Sequence, residues 1–228
     1  MKYYYDFHIH SCLSPCASDD MTPNNIVNMA HLKGLDMIAV TDHNSAKNVM
    51  AIMEVAKKLP LKVIGGMEIT TSEEIHMVVL YNDYEKLMLL DEKVNNSIYY
   101  VKNNPDIFGN QIIMDKDDNI VGYEDKLLIN ASSLDVFTLY EYVKSDGGII
   151  FPAHIDKSSF SIISNLGFIP KELKFDYVEV KNKENKGNFG DNYAYLSSSD
   201  AHFLWDISER EEYIEHNSNL AKYILYNM

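Results

Sequence analysis

The sequence contains little cysteine and arginine, and it has no apolar run long enough to cross a membrane. Its two cysteines, Cys12 and Cys16, are too few for the disulfide framework that stabilises many small secreted domains. Arg210 is the sole arginine, so bidentate guanidinium clamps contribute little to any recognition of phosphate. These absences predict a cytoplasmic protein with no membrane association.

Positive charge is also scarce along the whole chain. Twenty Lys and Arg residues face 34 Asp and Glu residues, which gives a net charge of −14. Because an acidic surface repels phosphate backbones, we expect a small phosphorylated substrate and no long nucleic acid. Phosphate chemistry is still open to the chain, since bound metal ions reverse the sign of the charge inside a cleft. The oligomeric state is left open by the sequence.

The rest of the composition is that of an ordinary globular domain. Hydrophobic residues make up 46% of the chain and charged residues 24%, so we expect residues 1–228 to form a single domain. Short apolar runs alternate with stretches of helical period, which predicts an α/β fold with a mainly parallel sheet. The predicted strands are Tyr3–Ile9, Asp36–Thr41, Lys62–Glu68, His76–Tyr81, Gly148–His154, Phe175–Val180 and Tyr193–Ser198, and the predicted helices are Pro23–Lys33, Ala46–Lys58, Tyr84–Lys102 and Leu134–Ser145.

Two segments do not follow this alternation. Residues 103–130 contain Pro105, Gly109 and a polar run, which predicts a hairpin or a long loop over one face of the domain. Such an insertion is either a substrate lid or a surface decoration. Residues 207–228 are predicted to form a C-terminal helical tail.

Histidines and carboxylates are concentrated at the ends of the predicted strands. His8 and His10 end the first strand, and residues at i and i+2 of a strand point to the same side. Four other strand ends carry Asp42, His43, Glu68, His154, Asp200 and His202. In parallel α/β folds the carboxyl ends of the strands line one mouth, where the active site lies. We interpret His31 and His216, which lie elsewhere, as ordinary helix or surface residues.

This set of side chains predicts a metal centre. Nitrogen and oxygen ligands without an obligatory thiolate suit Zn²⁺, Mn²⁺ or Fe²⁺. The ligands are too many for one ion, so we expect a multinuclear site with bridging carboxylates. Neighbouring ions in such sites lie about 3.5–4 Å apart and hold a hydroxide between them.

Taken together, these motifs resemble the PHP (polymerase and histidinol phosphatase) domain family. The resemblance runs from Tyr5 to about His202 and depends on an ordered set of motifs: His8–Ser11, Thr41–Asn44, Gly66–Glu68, Glu74–His76, Pro152–His154 and Ser199–His202. It implies a distorted (β/α)7 barrel, two to three divalent metal ions at the C-terminal ends of the strands, and hydrolysis of phosphate esters.

The resemblance also implies which residues share each metal. One ion takes His8, His10, Glu68 and Asp200, a second takes Glu68 as a bridge with His76 and His154, and a third takes His43, His202 and a ligand from the loop after His10. His76 begins an apolar run, so the resemblance alone selects it. Asp42 is a candidate for orienting an imidazole through its second nitrogen.

The chain departs from the family in the loop after His10. The family has an aspartate five residues after the second histidine or a histidine six residues after it, whereas this chain has Pro15 and Cys16 there. Three alternatives follow. Cys16 ligates as a thiolate, Asp19 or Asp20 completes the site, or the third metal is weak or absent.

The resulting hypothesis is a metal-dependent phosphoesterase that hydrolyses a nucleotide or a nucleoside bisphosphate by attack of a metal-bridging hydroxide. Glu68, Asp200 and His202 are the predicted catalytic residues, with Asp200 or His202 managing the proton of the leaving group. Lys157 and Arg210 are candidates for binding phosphate, and the aromatic residues Phe151, Phe203 and Trp205 for stacking a base.

Other functions remain open at this point. They are a histidinol-phosphate phosphatase, a short-oligonucleotide exonuclease and a non-catalytic metal- or phosphate-binding module. An amidohydrolase is disfavoured, because the motifs contain no lysine placed to bridge two metals.

Overall fold

The computed structural model describes residues 1–226, so the last two residues of the predicted helical tail lie outside it. The strands are β1 Lys2–Ile9, β2 Met37–Val40, β3 Lys62–Thr70, β4 His76–Tyr81, β5 Ile112–Met114, β6 Ile120–Tyr123, β7 Ile149–Pro152, β8 Tyr177–Glu179, β9 Ala194–Leu196 and β10 Tyr213–Glu215. The helices are α1 Pro23–Leu32, α2 Val49–Ala56, α3 Tyr84–Ser97, α4 Pro105–Phe108, α5 Val136–Ser145, α6 Ile162–Leu166 and α7 Asn219–Tyr226. Each of the seven predicted strands and four predicted helices has a counterpart.

The main sheet has six strands in the order β10-β1-β2-β3-β4-β7. β1, β2 and β3 are parallel, whereas β4 is antiparallel to both β3 and β7. The reversal has a local cause: five residues join β3 to β4, and a parallel return requires a crossover of a dozen or more. The sheet is therefore mixed, which corrects the expectation of a mainly parallel one.

A small parallel sheet of β8 and β9 lies between β7 and β1. Isolated backbone hydrogen bonds join it to both neighbours: Ile155 donates to the carbonyl of Glu179 at 2.8 Å, and His10 donates to that of Ala201 at 2.9 Å. The described residues thus form an α/β fold with a curved half-barrel sheet. They do not form the continuous seven-stranded ladder that a closed (β/α)7 barrel requires.

Helix α1 shows how local sequence directs the chain back from the edge of the sheet where β1 ends. Thr22 caps the helix by accepting a hydrogen bond from the backbone N–H of Asn25, and Pro23 occupies the first turn. Gly34 follows with φ +74°, the left-handed conformation that ends many helices. The buried face of α1, including Ile26 and Val27, packs in an apolar cluster with β1 and β2.

The 103–130 insertion contains α4 and the antiparallel β5–β6 hairpin. It is held against the loop after β1, because Ile112 donates to the carbonyl of Cys12 at 2.8 Å. Asn48 strengthens this attachment by donating to the Ile112 carbonyl and accepting from the N–H of Met114.

The C-terminal segment differs from the helical tail predicted for residues 207–228. Its first half contains β10, which pairs antiparallel with the start of β1. This pairing covers the polar backbone edge that β1 otherwise leaves open. Helix propensity depends on local sequence, so it does not predict such a pairing between distant segments. No helix within residues 1–226 is long and apolar enough to span a membrane.

Candidate metal centre

Side chains from five strand ends and from the first residue of β4 meet at one edge of the main sheet. Their ligand atoms lie within 4.8 Å of one another in three groups: His8, His10, Glu68 and Asp200; His43, Glu68 and His76; and His10, His43 and His202. The first group matches the set implied by the family resemblance. In the other two the partners are redistributed, with His43 beside Glu68 and His10 beside His202.

The direction of β4 explains why His76 belongs here. His76 lies opposite Thr70, the last residue of β3, in the antiparallel ladder. The start of β4 therefore lies at the same edge as the end of β3, and the Nδ1 atom of His76 is 2.9 Å from Glu68. His154, at the end of β7, reaches the same carboxylate, with its Nε2 atom 3.3 Å away.

Glu68 is the centre of the cluster and is 1% exposed. Each of its oxygens faces several imidazoles: Oε1 lies 3.2 Å from His8, 2.9 Å from His76 and 3.3 Å from His154, and Oε2 lies 3.4 Å from His10 and 3.1 Å from His43. Burial raises the pKa of Glu68, but the surrounding imidazoles, led by His76, outweigh it and hold that pKa well below its usual range. The carboxylate is therefore ionised.

Several buried atoms of this cluster have no hydrogen-bond partner among the described residues. They are Nε2 of His8 and His10, Nδ1 of His43 and His154, and both carboxylate oxygens of Glu68. The imidazole nitrogens near Glu68 are close, at 2.9–3.4 Å, but they are not aligned as hydrogen-bond donors to it. A buried polar atom without a partner costs free energy, and native structures contain few of them. Convergent nitrogen and oxygen atoms of this kind fit divalent metal ions, which accept their lone pairs. The donor set thus passes a chemical test for a metal centre.

Glu179, at the end of β8, orients two of the histidines and was missed in the sequence. Its Oε2 atom is 2.8 Å from Nδ1 of His8 and accepts a 3.1 Å hydrogen bond from the backbone N–H of His154. Because Glu179 holds a proton on Nδ1 of His8, the other ring nitrogen is the ligand atom, and its own proton must leave when a metal binds. The available signal was a carboxylate at the end of the predicted strand Phe175–Val180.

Asp42 supports the centre through Ser14. The Ser14 hydroxyl donates to Asp42 at 2.6 Å and lies 3.0 Å from Nδ1 of His10. Ser14 also accepts from the backbone N–H of His43. Asp42 thus contacts an imidazole through an intervening hydroxyl, and its predicted role in orienting that ring stays a prediction.

The imidazoles differ in their protonation because their surroundings differ. Burial lowers the pKa of His8, but the carboxylates of Glu179 and Glu68 outweigh it and raise that pKa well above its ordinary value. Burial lowers the pKa of His10 to about 4 and that of His43 well below its ordinary value. Neutral imidazole is the form that binds metal, so His10 and His43 are ready to ligate at pH 7.

None of the three candidates for the loop ligand joins the cluster. Cys16, Asp19 and Asp20 are exposed and lie outside the three groups formed by the described residues. The Asp19 carboxylate instead accepts a hydrogen bond from the Asn110 amide at 2.8 Å. The loop after His10 is drawn toward the insertion, an interaction that its own sequence does not specify.

The two predicted phosphate-binding cations lie in different places. The Nζ atom of Lys157 is 3.1 Å from an oxygen of Asp200, at the rim of the centre. Arg210 lies over the ring of Tyr4 and near Asp36, which directly precedes β2. That position is at the opposite edge of the sheet, because the chain descends along β1 after His202. The assignment of Arg210 to the substrate site is therefore wrong.

The three aromatic residues considered for stacking a base also differ. Phe151 is fully buried in the core. Phe203 and Trp205 are 40% and 71% exposed, and their rings stack on each other with centroids 4.8 Å apart. Phe151 is thus a packing residue, whereas the other two remain available at the surface.

Comparison with known proteins places this site in a family context. The family model described as the PHP domain matches residues 6–150, more than half of the chain. A 5′-3′ exoribonuclease of Haemophilus influenzae is 34% identical over 83 residues, which are 35% of this chain and 29% of that protein. The matches span less than half the length of the curated relatives.

Solved structures share the fold at low sequence identity. The lesion-specific endonuclease Q of Pyrococcus furiosus matches with a TM-score of 0.59 and 19% identity, over 90% of this chain and 49% of that one. A Bifidobacterium adolescentis protein assigned as a metal-dependent phosphoesterase matches with a TM-score of 0.58 and 17% identity, over 87% of each chain.

These similarities overturn the expectation that long nucleic acids are not partners. Endonuclease Q, which shares the fold, has been crystallised with a 27-mer duplex that carries an abasic lesion at the active site. Net charge is an average over the whole surface, and it does not describe a mouth where metal ions set the local field. A charge of −14 is therefore no ground for excluding a nucleic acid.

Proposed function

The chain belongs to the PHP domain family of metal-dependent phosphoester hydrolases, and from this premise we propose that it cleaves phosphoester bonds in nucleic acid at the Glu68 cluster. One observation carries the proposal: buried nitrogen and oxygen atoms without hydrogen-bond partners converge around a single carboxylate. In contrast, the polar atoms of a histidine buried only for packing usually have hydrogen-bond partners.

We assign two to three divalent ions, Zn²⁺, Mn²⁺ or Fe²⁺, to the three groups of ligand atoms. The residues of these groups are His8, His10, His43, Glu68, His76, Asp200 and His202. His154 lies outside the groups, and we assign it as a further ligand because its Nε2 atom is 3.3 Å from the Glu68 carboxylate. When bound, such ions supply positive charge opposite a phosphoryl group under attack and an activated water as nucleophile.

The protein's own side chains account for orientation and proton transfer. We assign Lys157 to a non-bridging phosphate oxygen, since its ammonium lies at the rim beside Asp200. Both oxygens of Asp200 are engaged, one with His10 and the other with Lys157. We therefore assign the proton of the leaving oxygen to His202 in the state with two ions, in which its 24% exposed side chain carries no metal. In the state with three ions His202 is a ligand instead, because its Nδ1 atom is hydrogen-bonded to the Asp200 carbonyl and only Nε2 can serve either role.

A nucleic acid substrate is supported by the curated relative named as a 5′-3′ exoribonuclease and by the fold shared with endonuclease Q. The nucleoside bisphosphate predicted from the sequence carries a 5′-phosphate, as a 5′-phosphorylated RNA or DNA strand does. We include it in the assay for that reason.

The test is a panel of phosphate esters incubated with Mn²⁺-loaded protein. The panel contains 5′-phosphorylated single-stranded RNA and DNA, a duplex with one abasic site, a nucleoside 3′,5′-bisphosphate and histidinol phosphate. We expect hydrolysis of at least one nucleic acid, and its loss in Glu68→Ala but not in the exposed control Glu92→Ala. Turnover of histidinol phosphate alone would reassign the substrate. No turnover of any ester would favour the non-catalytic binding module.

A further inference from the structure

Phe160 lies directly on a ligand of the metal centre. Its ring stacks on the ring of His76, with centroids 4.8 Å apart and an interplanar angle of 24°. The backbone brings the two together, because the N–H of His76 donates to the carbonyl of Phe160 at 2.9 Å. Phe160 is nevertheless 44% exposed, so the face of its ring turned away from His76 is open.

Core packing does not explain this position. Phe160 belongs to none of the apolar clusters that residues 1–226 form. Its backbone has φ +53°, in the left-handed region that bulky residues rarely adopt. Backbone conformations of this kind cluster at functional sites, and here the residue lies outside the core and against a residue of the metal centre.

The same loop carries the cation assigned to phosphate. Lys157 reaches Asp200 at 3.1 Å, while Phe160, three residues later, covers His76. The loop is fixed at its start by Asp156, whose carboxylate accepts from the backbone N–H groups of Lys181 at 2.7 Å and Asn182 at 2.9 Å. It is fixed at its end by Ser161, which caps α6. A rigid loop thus presents a cation and an aromatic ring to two sides of one centre.

We propose that Phe160 is a substrate-binding residue that stacks on the nucleobase of the nucleotide whose phosphate is held beside Lys157. The inference rests on the proposed function and adds the residue that makes the site prefer substrates with a nucleobase. Stacking on an aromatic ring accepts every base because each has a π-face. The site should therefore require a base at this position while discriminating weakly among the four.

The experiment compares two oligonucleotides of one sequence, with and without the base next to the scissile phosphate. Wild-type protein is expected to hydrolyse the complete substrate with a kcat/KM about tenfold higher, a typical effect of one base–aromatic stack. Phe160→Leu keeps an apolar cover over His76 but loses the aromatic face, so the ratio should fall to about one. Phe160→Trp should keep it. Phe168→Leu, at an exposed phenylalanine in the segment after α6, is the matched control.

Two further measurements separate base stacking from a structural role. The metal content of Phe160→Leu should equal that of wild type, which excludes displacement of His76. Calorimetric titration with a dinucleotide phosphorothioate, complete or lacking one base, should show the same tenfold preference in binding and its loss in Phe160→Leu.

The outcomes are distinct. A wild-type preference that survives in Phe160→Leu, or equal affinity of wild type for the two phosphorothioates, overturns the stacking role while leaving the phosphoesterase intact. If wild-type protein hydrolyses neither oligonucleotide but still binds the complete phosphorothioate more tightly, the proposed reaction is wrong and the stacking role is supported.

Discussion

The carboxylate of Glu179 lies 2.8 Å from Nδ1 of His8 and holds the imidazole with its other nitrogen toward Glu68. Because such partners fix the ring and its tautomer, we expect Glu179→Gln to weaken metal binding by about tenfold. Competition with a chromophoric chelator measures the affinity. Glu211→Gln, which alters an exposed ion pair with Lys183, is the control. Unchanged affinity in Glu179→Gln would show that Glu179 serves packing alone.

Glu68 contacts imidazoles through both oxygens, so its removal affects more than one metal group. We expect Glu68→Ala to lose at least one metal equivalent together with activity. Elemental analysis of the purified variant, beside the control Glu92→Ala, gives the stoichiometry. A Glu68→Ala protein with the full metal content would defeat the central role of this carboxylate.

Cys16 lies outside the groups of ligand atoms, which favours a site completed without a thiolate. Cys16→Ser should therefore leave the metal content and the activity within experimental error of wild type. It should also leave any sensitivity to peroxide unchanged. Loss of one metal equivalent in this variant would restore the thiolate alternative.

Cys12 is fully buried, and burial raises the pKa of its thiol to about 12. At pH 8 roughly one thiol in ten thousand is then ionised, and the thiolate is the reactive form. In the Cys16→Ser variant, where Cys12 is the only thiol, we expect no alkylation by iodoacetamide within an hour unless urea unfolds the chain. Mass spectrometry of the native and unfolded samples compares the two states, and rapid labelling of the native protein would contradict the burial.

Lys157 and Arg210 should respond differently to replacement by alanine. Lys157→Ala removes a cation from the rim and should lower kcat/KM by about tenfold, within the range of a charge-assisted hydrogen bond. Arg210→Ala should leave kcat/KM within twofold and lower the free energy of unfolding by about 1 kcal/mol, since Arg210 packs over Tyr4. Steady-state kinetics and urea unfolding of both variants test the contrast. Equal kinetic losses would return Arg210 to the substrate site.

The candidate site was largely visible in the sequence because strand ends can be read locally. The stretch from Tyr3 is rich in β-favouring aromatic residues up to His8 and His10, and apolar runs likewise lead to His43 and His154. Strand period, helix caps and turn residues depend on neighbours a few positions away, so their information lies in the sequence itself.

The tertiary structure decided what depends on the pairing of distant segments. His76 reaches the centre because β4 pairs antiparallel with β3, and Glu179 reaches His8 across 171 residues of chain. Arg210 is drawn to Tyr4 on the opposite edge, a position that its eight-residue separation from His202 does not reveal. Neither the net charge nor the spacing of motifs indicates which strands become neighbours in the sheet. That choice is set by burial of the whole core and by closure of the exposed backbone edges of the sheet.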